Sequence, residues 1–326
     1  MSKPKPTCVI ISPALASANN GNWYTAARWQ AFLTVYADVS VDLCWDGAAA
    51  DIMVALHARR SADSISRFAC AYPARPLVVV LTGTDIYRDI KHDRAAQHSL
   101  EVATHLVVLQ EQALAELAPH LRLKARVIVQ SARAHARLKT DASCMEFVAV
   151  GHLRSEKDPL TLMAAAQALP AAAGIQIVHI GDALDSALGK AAQQTMDMTP
   201  HYRWLGGLSQ SRARRWIARS RALVHPSVME GGANVIIEAV RSHVPVLASR
   251  VSGNVGMLGE DYAGYFPPGD PQALAQLMVR FASDRAFAGY LQDQCAIRER
   301  LFSPRHERQN VQQLFRDAIV RAAFSS

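Results

Sequence analysis

Two glutamates eight positions apart, Glu230 and Glu238, flank a glycine pair and the start of an apolar run, Val235-Ile236-Ile237-Glu238-Ala239-Val240. An unpaired carboxylate in such a run is costly to bury, so Glu238 is expected to face a polar ligand or a cation. A carboxylate accepts hydrogen bonds from two neighbouring hydroxyls, which is what a ribose offers. Glu230, just ahead of the helix, is placed to look into the same cleft. The plainer alternative makes Glu230 a surface loop residue and pairs Glu238 with an arginine such as Arg241. Glycines leading into a helix also let backbone N–H groups approach an anion, with the helix dipole adding positive potential.

Further candidates fall at the ends of other β-rich runs. In VGHLRSEKDPLTL, the cations Arg154 and Lys157 lie near a glycine turn, an arrangement that suits a diphosphate leaving group. The alternative is a solvated turn and helix start. Gly181-Asp182 and Gly206-Gly207 end two more runs, on the edge where open α/β sheets bind ligands. In the first half, Gly21-Asn22 leads into a helix at Thr25, and two strands end in Leu56-His57-Ala58-Arg59-Arg60 and Leu81-Thr82-Gly83-Thr84-Asp85. His57 is a candidate general base or hydrogen-bond donor, or else a satisfied structural histidine. Asp85 is either catalytic or the cap of the next helix. These polar clusters favour a small, hydrogen-bonding or anionic acceptor. A polysaccharide would want an aromatic platform, of which only Trp23 and Tyr24 supply a little.

The elements that must position these groups alternate along the chain. Strands are expected at Cys8–Ser12, Asp51–Leu56, Leu77–Leu81, Leu106–Leu109, Val127–Val129, Phe147–Val150, Ile175–Ile180, Tyr202–Leu205, Ala222–His225 and Val244–Ala248. Helical patterns lie between them, including Thr25–Val35, Asp158–Leu169 and Asn234–Arg241, and the tail Arg305–Phe324 repeats apolar residues at helical spacing. Near-continuous apolar strands alternating with helices predict parallel sheets covered on both faces. The fold class is α/β, with two Rossmann-like domains facing across a cleft. A polar, basic link at Ala132–Ser143 sets the expected division: 1–138 binds acceptor, 139–304 binds donor, and 305–326 forms a helix packing back on the first domain.

Composition narrows the class. The chain has 326 residues, half of them hydrophobic and 19% charged, which suits a globular enzyme of two domains. Apolar runs are too short to span a bilayer, and Lys3 and Lys5 are followed by a strand pattern rather than a signal peptide. A cytoplasmic protein without stable membrane association is expected. Five scattered cysteines, Cys8, Cys44, Cys70, Cys144 and Cys295, form no disulfide or zinc framework. The net charge of +7 invites a nucleic-acid partner, but no basic-aromatic stripe appears, and none is expected. The run Arg212, Arg214, Arg215, Arg219 and Arg221 reads as a solvated helix face. Neither half carries a G-x-G-x-x-G or Walker motif, which argues against a dehydrogenase or P-loop enzyme. Without a D-x-D pair or H-E-x-x-H, no metal and no cofactor is expected.

The spacing from Glu230 to Glu238, with VHPSVMEGGANVIIEAVRSHVPVLAS and YFPPGDPQALAQLM around it, resembles the donor domain of family 4 glycosyltransferases with the GT-B fold. The resemblance covers roughly Phe147 to Asp284. It implies that Glu230 contacts the transferred sugar, that Glu238 holds the nucleotide ribose and that the backbone of Gly232, Ala233 and Asn234 cradles the diphosphate. Lys157 falls on the basic loop's lysine, whereas His152 stands where an arginine is usual, with Arg154 able to supply the charge. Gly206 would lie near the nucleobase.

A narrower likeness joins GNWYTAARW, ALHARRS, LTGTDIYRD, VIVQSA and VGHLRSEKDP, which together resemble the selenosugar synthase (SenB) family of selenoneine biosynthesis. It implies transfer from a UDP-sugar, UDP-GlcNAc or UDP-glucose, to selenophosphate, giving a 1-selenosugar, UDP and phosphate. Gly21, Asn22, Thr25, Arg59, Thr82, Gly83 and Thr84 would hold the acceptor, and Glu230, His57 and Asp85 would act in catalysis. Trp23 departs from the basic residue expected after Gly21-Asn22. The alternatives are a conventional family 4 enzyme with a hydroxyl acceptor and a non-catalytic nucleotide-sugar-binding protein.

Overall fold

The structure, a computed structural model, describes residues 4–15, 21–138 and 145–324. Lys3, Cys144 and the part of the expected link at 139–143 lie outside the described residues. By internal contacts the chain forms two units, Met1–Ser131 with Pro304–Ser326, and Ala132–Ser303.

In the first unit, β1 (Thr7–Ile11), β2 (Asp38–Asp42), β3 (Ile52–Leu56), β4 (Leu77–Leu81), β5 (His105–Val108) and β6 (Ala125–Val127) form one sheet in the order β2-β1-β3-β4-β5-β6. Every pairing is parallel. The apolar strands are buried on both faces because side chains alternate across the sheet. Val9, Ile11, Met53, Val79 and Leu81 pack on one side with Trp45, Phe68 and Leu100. Ile10, Ile52, Val54, Val78 and Val80 pack on the other with Trp29, Phe32 and the tail-helix residues Val311, Leu314, Phe315 and Ala318. The tail helix runs Pro304–Phe324.

A buried carboxylate fastens that helix. Glu307 accepts from Arg28 Nε at 3.1 Å, Trp29 Nε1 at 3.0 Å, Ser131 N at 2.9 Å and Ser131 Oγ at 2.5 Å. It thereby joins helix Gly21–Leu33, the end of the first long segment and the returning helix.

The second unit repeats the design with β7 (Met145–Val150), β8 (Ile175–Ile180), β9 (Tyr202–Trp204), β10 (Ala222–His225), β11 (Val246–Ser249) and β12 (Tyr265–Phe266), ordered β12-β11-β10-β7-β8-β9. All its pairings are parallel too. The contact boundary falls at Ser131/Ala132 rather than 138/139 because the chain from Ala132 bonds to the second unit: Ala132 O accepts from Arg241 Nε at 3.3 Å and Leu138 N donates to Ala218 O at 3.0 Å.

Two strands escaped the sequence reading. β2 is an edge strand whose residues alternate between half-buried and exposed, and β12 spans only two residues. The strand expected at Val127–Val129 is paired instead at Ala125–Val127, and the one expected from Val244 begins at Val246, after His243 turns the chain with φ of 56°. Cys8 and Cys295 are buried free thiols, with burial pushing Cys8 up to about 12 and Cys295 up to about 11. Among the described residues, no helix is long and apolar enough to cross a membrane.

Candidate functional site

Strand order locates the site. In the second sheet the chain starts centrally at β7, runs outward through β8 and β9, then returns to place β10 on the other side of β7. The loops after β7 and β10 therefore diverge from one point, where the carboxyl edge of an open parallel sheet leaves a crevice. These loops carry His152, Arg154 and Lys157 on one hand and Glu230 to Asn234 on the other.

They are stitched together. Val228 N donates to Glu156 O at 3.0 Å, and Lys157 Nζ binds Glu230 Oε1. The loop after β11 presses on the same place: a Cβ on Gly253 would fall 1.8 Å from Glu230 O, so only glycine admits this approach. Gly181 likewise lets the loop after β8 meet Gly151, with an added Cβ only 1.9 Å from its carbonyl oxygen. Gly206 continues the series through its carbonyl, which accepts from Gly181 N.

Glu230 is 8% exposed, which removes the reading of a surface loop residue. Burial would raise its carboxyl pKa, but Lys157 and His225 outweigh it and hold the group well below the ordinary range. His225 Nε2 lies 3.0 Å from the same oxygen, and burial keeps this ring's pKa below its usual value. Glu238 is 6% exposed and accepts from Gln210 Nε2 at 3.0 Å, with Arg214 Nε at 3.7 Å. Arg241 is not its partner; that guanidinium bonds Glu299 at 2.7 Å.

The unit thus holds two buried carboxylates on one loop-helix segment, each met by a cation. Arg154 Nε is also buried without a hydrogen-bond partner among the described residues. Such an unpaired buried donor beside a carboxylate-lined loop suits an anionic oxygen-rich ligand.

Not every expected contact is available. Helix Asn234–Val240 follows the glycines, with Gly232 and Asn234 half-buried, but the Ala233 amide donates to Met257 Sδ at 3.1 Å rather than facing a ligand. His152 Nδ1 accepts from Asp182 N at 3.1 Å, so it fastens the neighbouring loop.

In the first unit the crevice lies between β1 and β3, from which strand order runs opposite ways. His57 follows β3 with a φ of 70°, a left-handed turn that histidine tolerates better than most residues. Its Nδ1 accepts from Arg60 N at 3.3 Å and its Nε2 lies 3.0 Å from Thr84 Oγ1. Asp85 and Asp89 each stand 3.9 Å from the ring, but burial dominates and lowers the pKa. A neutral ring whose Nδ1 accepts must carry its proton on Nε2, which then donates to Thr84. With that lone pair engaged, His57 is not placed as a general base; it orients the Thr84 hydroxyl.

Asp85 also turns inward. Its fully buried carboxylate accepts from Thr82 N at 3.0 and 3.2 Å, Gly83 N at 2.7 Å and Ala58 N at 3.0 Å. It neither caps the following turn nor reaches outward; it clasps the two loops after β3 and β4. Thr25, 1% exposed, donates to Gly21 O at 2.8 Å and accepts from Gln130, so it holds its helix rather than an acceptor. Gly21 and Asn22 open that helix, and Arg59 reaches Asp93 at 2.8 Å. Thr82, Gly83 and Thr84 remain half-buried on the crevice edge.

The sequence reading missed His225, Gln210 and Arg214 as parts of the site. Gln210 and Arg214 were legible as an i, i+4 pair on one helix face. Of the rest of the arginine run, Arg212, Arg215 and Arg219 are exposed, the last lying over the Trp216 ring at 3.4 Å, whereas Arg221 is half-buried. Among the described residues, no group of three or more His, Cys, Asp or Glu could hold a metal ion.

Comparison with known proteins agrees with this geometry. Residues 145–284 match the family model Glycosyl transferases group 1. Glycosyltransferase 1 domain-containing protein 1 of Xenopus tropicalis is 26% identical over 231 residues, 64% of this chain and 66% of that protein's length. Anabaena HepE, solved with UDP-glucose, aligns with a TM-score of 0.76 at 16% identity, covering 96% of this chain and all 100% of that one. Sucrose-phosphate synthase from Thermosynechococcus elongatus gives 0.77 at 17% identity, covering 97% and 99%. At such identities the two solved structures establish likeness of fold. Together the comparisons support a GT-B-like protein of two parallel-sheet α/β units whose residues 145–284 carry the likeness to group 1 glycosyltransferases.

Proposed function

We propose that this protein transfers a hexosyl group from a UDP-sugar to a small anionic nucleophile, selenophosphate, without a resident metal or cofactor. The observation that carries the donor half is the pair of buried, cation-met carboxylates at the β7/β10 switch point, inside the segment matched by the family model. Glu238 is suited to the ribose hydroxyls, with Gln210 and Arg214 behind it. Glu230 is suited to the sugar, and Arg154 with Lys157 to the diphosphate. HepE, which shares the fold, is a protein solved with UDP-glucose.

The acceptor half rests on the likeness of the first-unit loops to selenosugar synthases and on their chemistry. Thr82, Gly83 and Thr84 form a clasped polar edge, with the exposed cations Arg59 and Arg60 on the neighbouring loop. Selenium attacks the anomeric carbon as the C–O bond to UDP breaks, and UDP leaves with the bonding electron pair. Water then cleaves P–Se, taking phosphate away and leaving the selenosugar. Selenium is a strong, soft nucleophile, so positioning and leaving-group stabilisation carry most of the rate enhancement.

Incubation with UDP-GlcNAc or UDP-glucose and selenophosphate is expected to release UDP and phosphate in equal amounts, with a selenium-containing sugar seen by mass spectrometry. Turnover with a hydroxyl acceptor and none with selenophosphate would contradict the acceptor assignment and leave a conventional glycosyltransferase. UDP-sugar binding without turnover on any acceptor would leave a nucleotide-sugar-binding protein.

A further inference from the structure

Glu230 takes both of its hydrogen bonds on one oxygen. Lys157 Nζ and His225 Nε2 each reach Oε1, the histidine at 3.0 Å. The donors differ in kind. Lys157 is a flexible stem with three ammonium donors on the turn Ser155–Lys157 after β7, able to serve two anions. His225 is the last residue of β10 and 2% exposed, so its ring is fixed by the sheet and cannot follow a ligand.

The backbone around Glu230 is equally fixed. Gly253 closes on its carbonyl, Val228 N is tied to Glu156 O, and Ser249 Oγ donates to Ser227 O. Orientation of the carboxylate is thus left to the two side chains on Oε1.

We propose that His225 is a positioning residue for sugar transfer: it keeps Glu230 Oε1 bonded from the sheet, so that Oε2 faces the transferred sugar while the Lys157 ammonium is shared with the nucleotide diphosphate. Without His225, recruitment of Lys157 by phosphate would leave the carboxylate short of a partner and free to turn. The inference deepens the donor-site reading and rests on it.

The test compares His225→Phe, which keeps a ring but no donor, with His225→Gln, which keeps an N–H donor. Turnover of UDP-glucose with selenophosphate is measured beside UDP affinity. UDP lacks the sugar that Glu230 addresses, so its affinity is expected to stay within about twofold of wild type in both variants, while kcat falls about 10- to 100-fold in the Phe variant, the range for losing a hydrogen bond to a charged group. The Gln variant is expected to recover most of kcat. Unchanged kcat in the Phe variant, or a Gln variant as slow as Phe, overturns the proposal. If the Phe variant does not fold, His225→Ala stands in the same comparison. A wild type that binds neither UDP nor a UDP-sugar overturns the donor-site reading instead, which separates the two failures.

Discussion

Lys157→Met is expected to destabilise the second unit by about 3 kcal/mol at neutral pH, the low end of the cost of removing one partner from a buried ion pair, because His225 still holds Glu230. The two side chains are 19% and 9% exposed, so solvent screens the pair little. The pH dependence follows from the depressed carboxyl. In the wild type its contribution is full above the ordinary value of 4.5 and is lost as pH falls through the much lower folded value. In the variant only His225 is left to offset burial, so the carboxyl is held down less and less stability depends on its ionisation. Denaturant unfolding should therefore show a stability gap between wild type and variant that narrows as pH falls. Equal midpoints at neutral pH would contradict the pairing. The same substitution is expected to weaken UDP binding, since the ammonium is assigned to the diphosphate.

Glu307→Ala is expected to cost the first unit about 3–5 kcal/mol, again the range for leaving buried charge unpaired. Arg28, Trp29 and Ser131 all lose their acceptor, and the carboxylate they share is fully buried. Helix Pro304–Phe324 is expected to loosen first, since Glu307 is its fastening near the start. Hydrogen exchange along that helix, with denaturant unfolding, measures both effects. A midpoint shift worth less than about 0.5 kcal/mol, the size of an ordinary surface substitution, would show that Val311, Leu314 and Phe315 suffice to hold it.

Much of this was legible in the residues. Leu77–Leu81 is buried on both faces and so reads as a continuous apolar run, and Ile175–Ile180 keeps enough apolar residues around Gln176 and His179 to read as a strand; both match the structure residue for residue. β2 was not legible because an edge strand needs no apolar run, and β12 because two residues carry no period. The donor loop stood out because Glu238 interrupts an apolar helix, a conflict that only a partner resolves.

The partners were harder to read. His225 sits in a strand end that looks merely apolar, and the i, i+4 spacing of Gln210 and Arg214 lies within a run exposed at Arg212, Arg215 and Arg219. Residue type also misled at Asp85 and Thr25. Both lie at carboxyl ends of strands or the start of a helix, where ligands are met, but their side chains turn inward to satisfy backbone groups. Sequence position fixes the edge on which a side chain emerges; burial decides which way it points, and burial depends on neighbours distant in the chain.

On the proposed function, the β7/β10 crevice of the second unit binds a UDP-sugar through its buried carboxylates. Calorimetric titration of UDP-glucose into wild type and Glu238→Ala measures this binding directly. Saturable binding to the wild type is predicted, weakened about 10- to 100-fold in the variant, the range for losing hydrogen bonds to a charged group. No binding to the wild type, or identical affinity in both, would contradict the account.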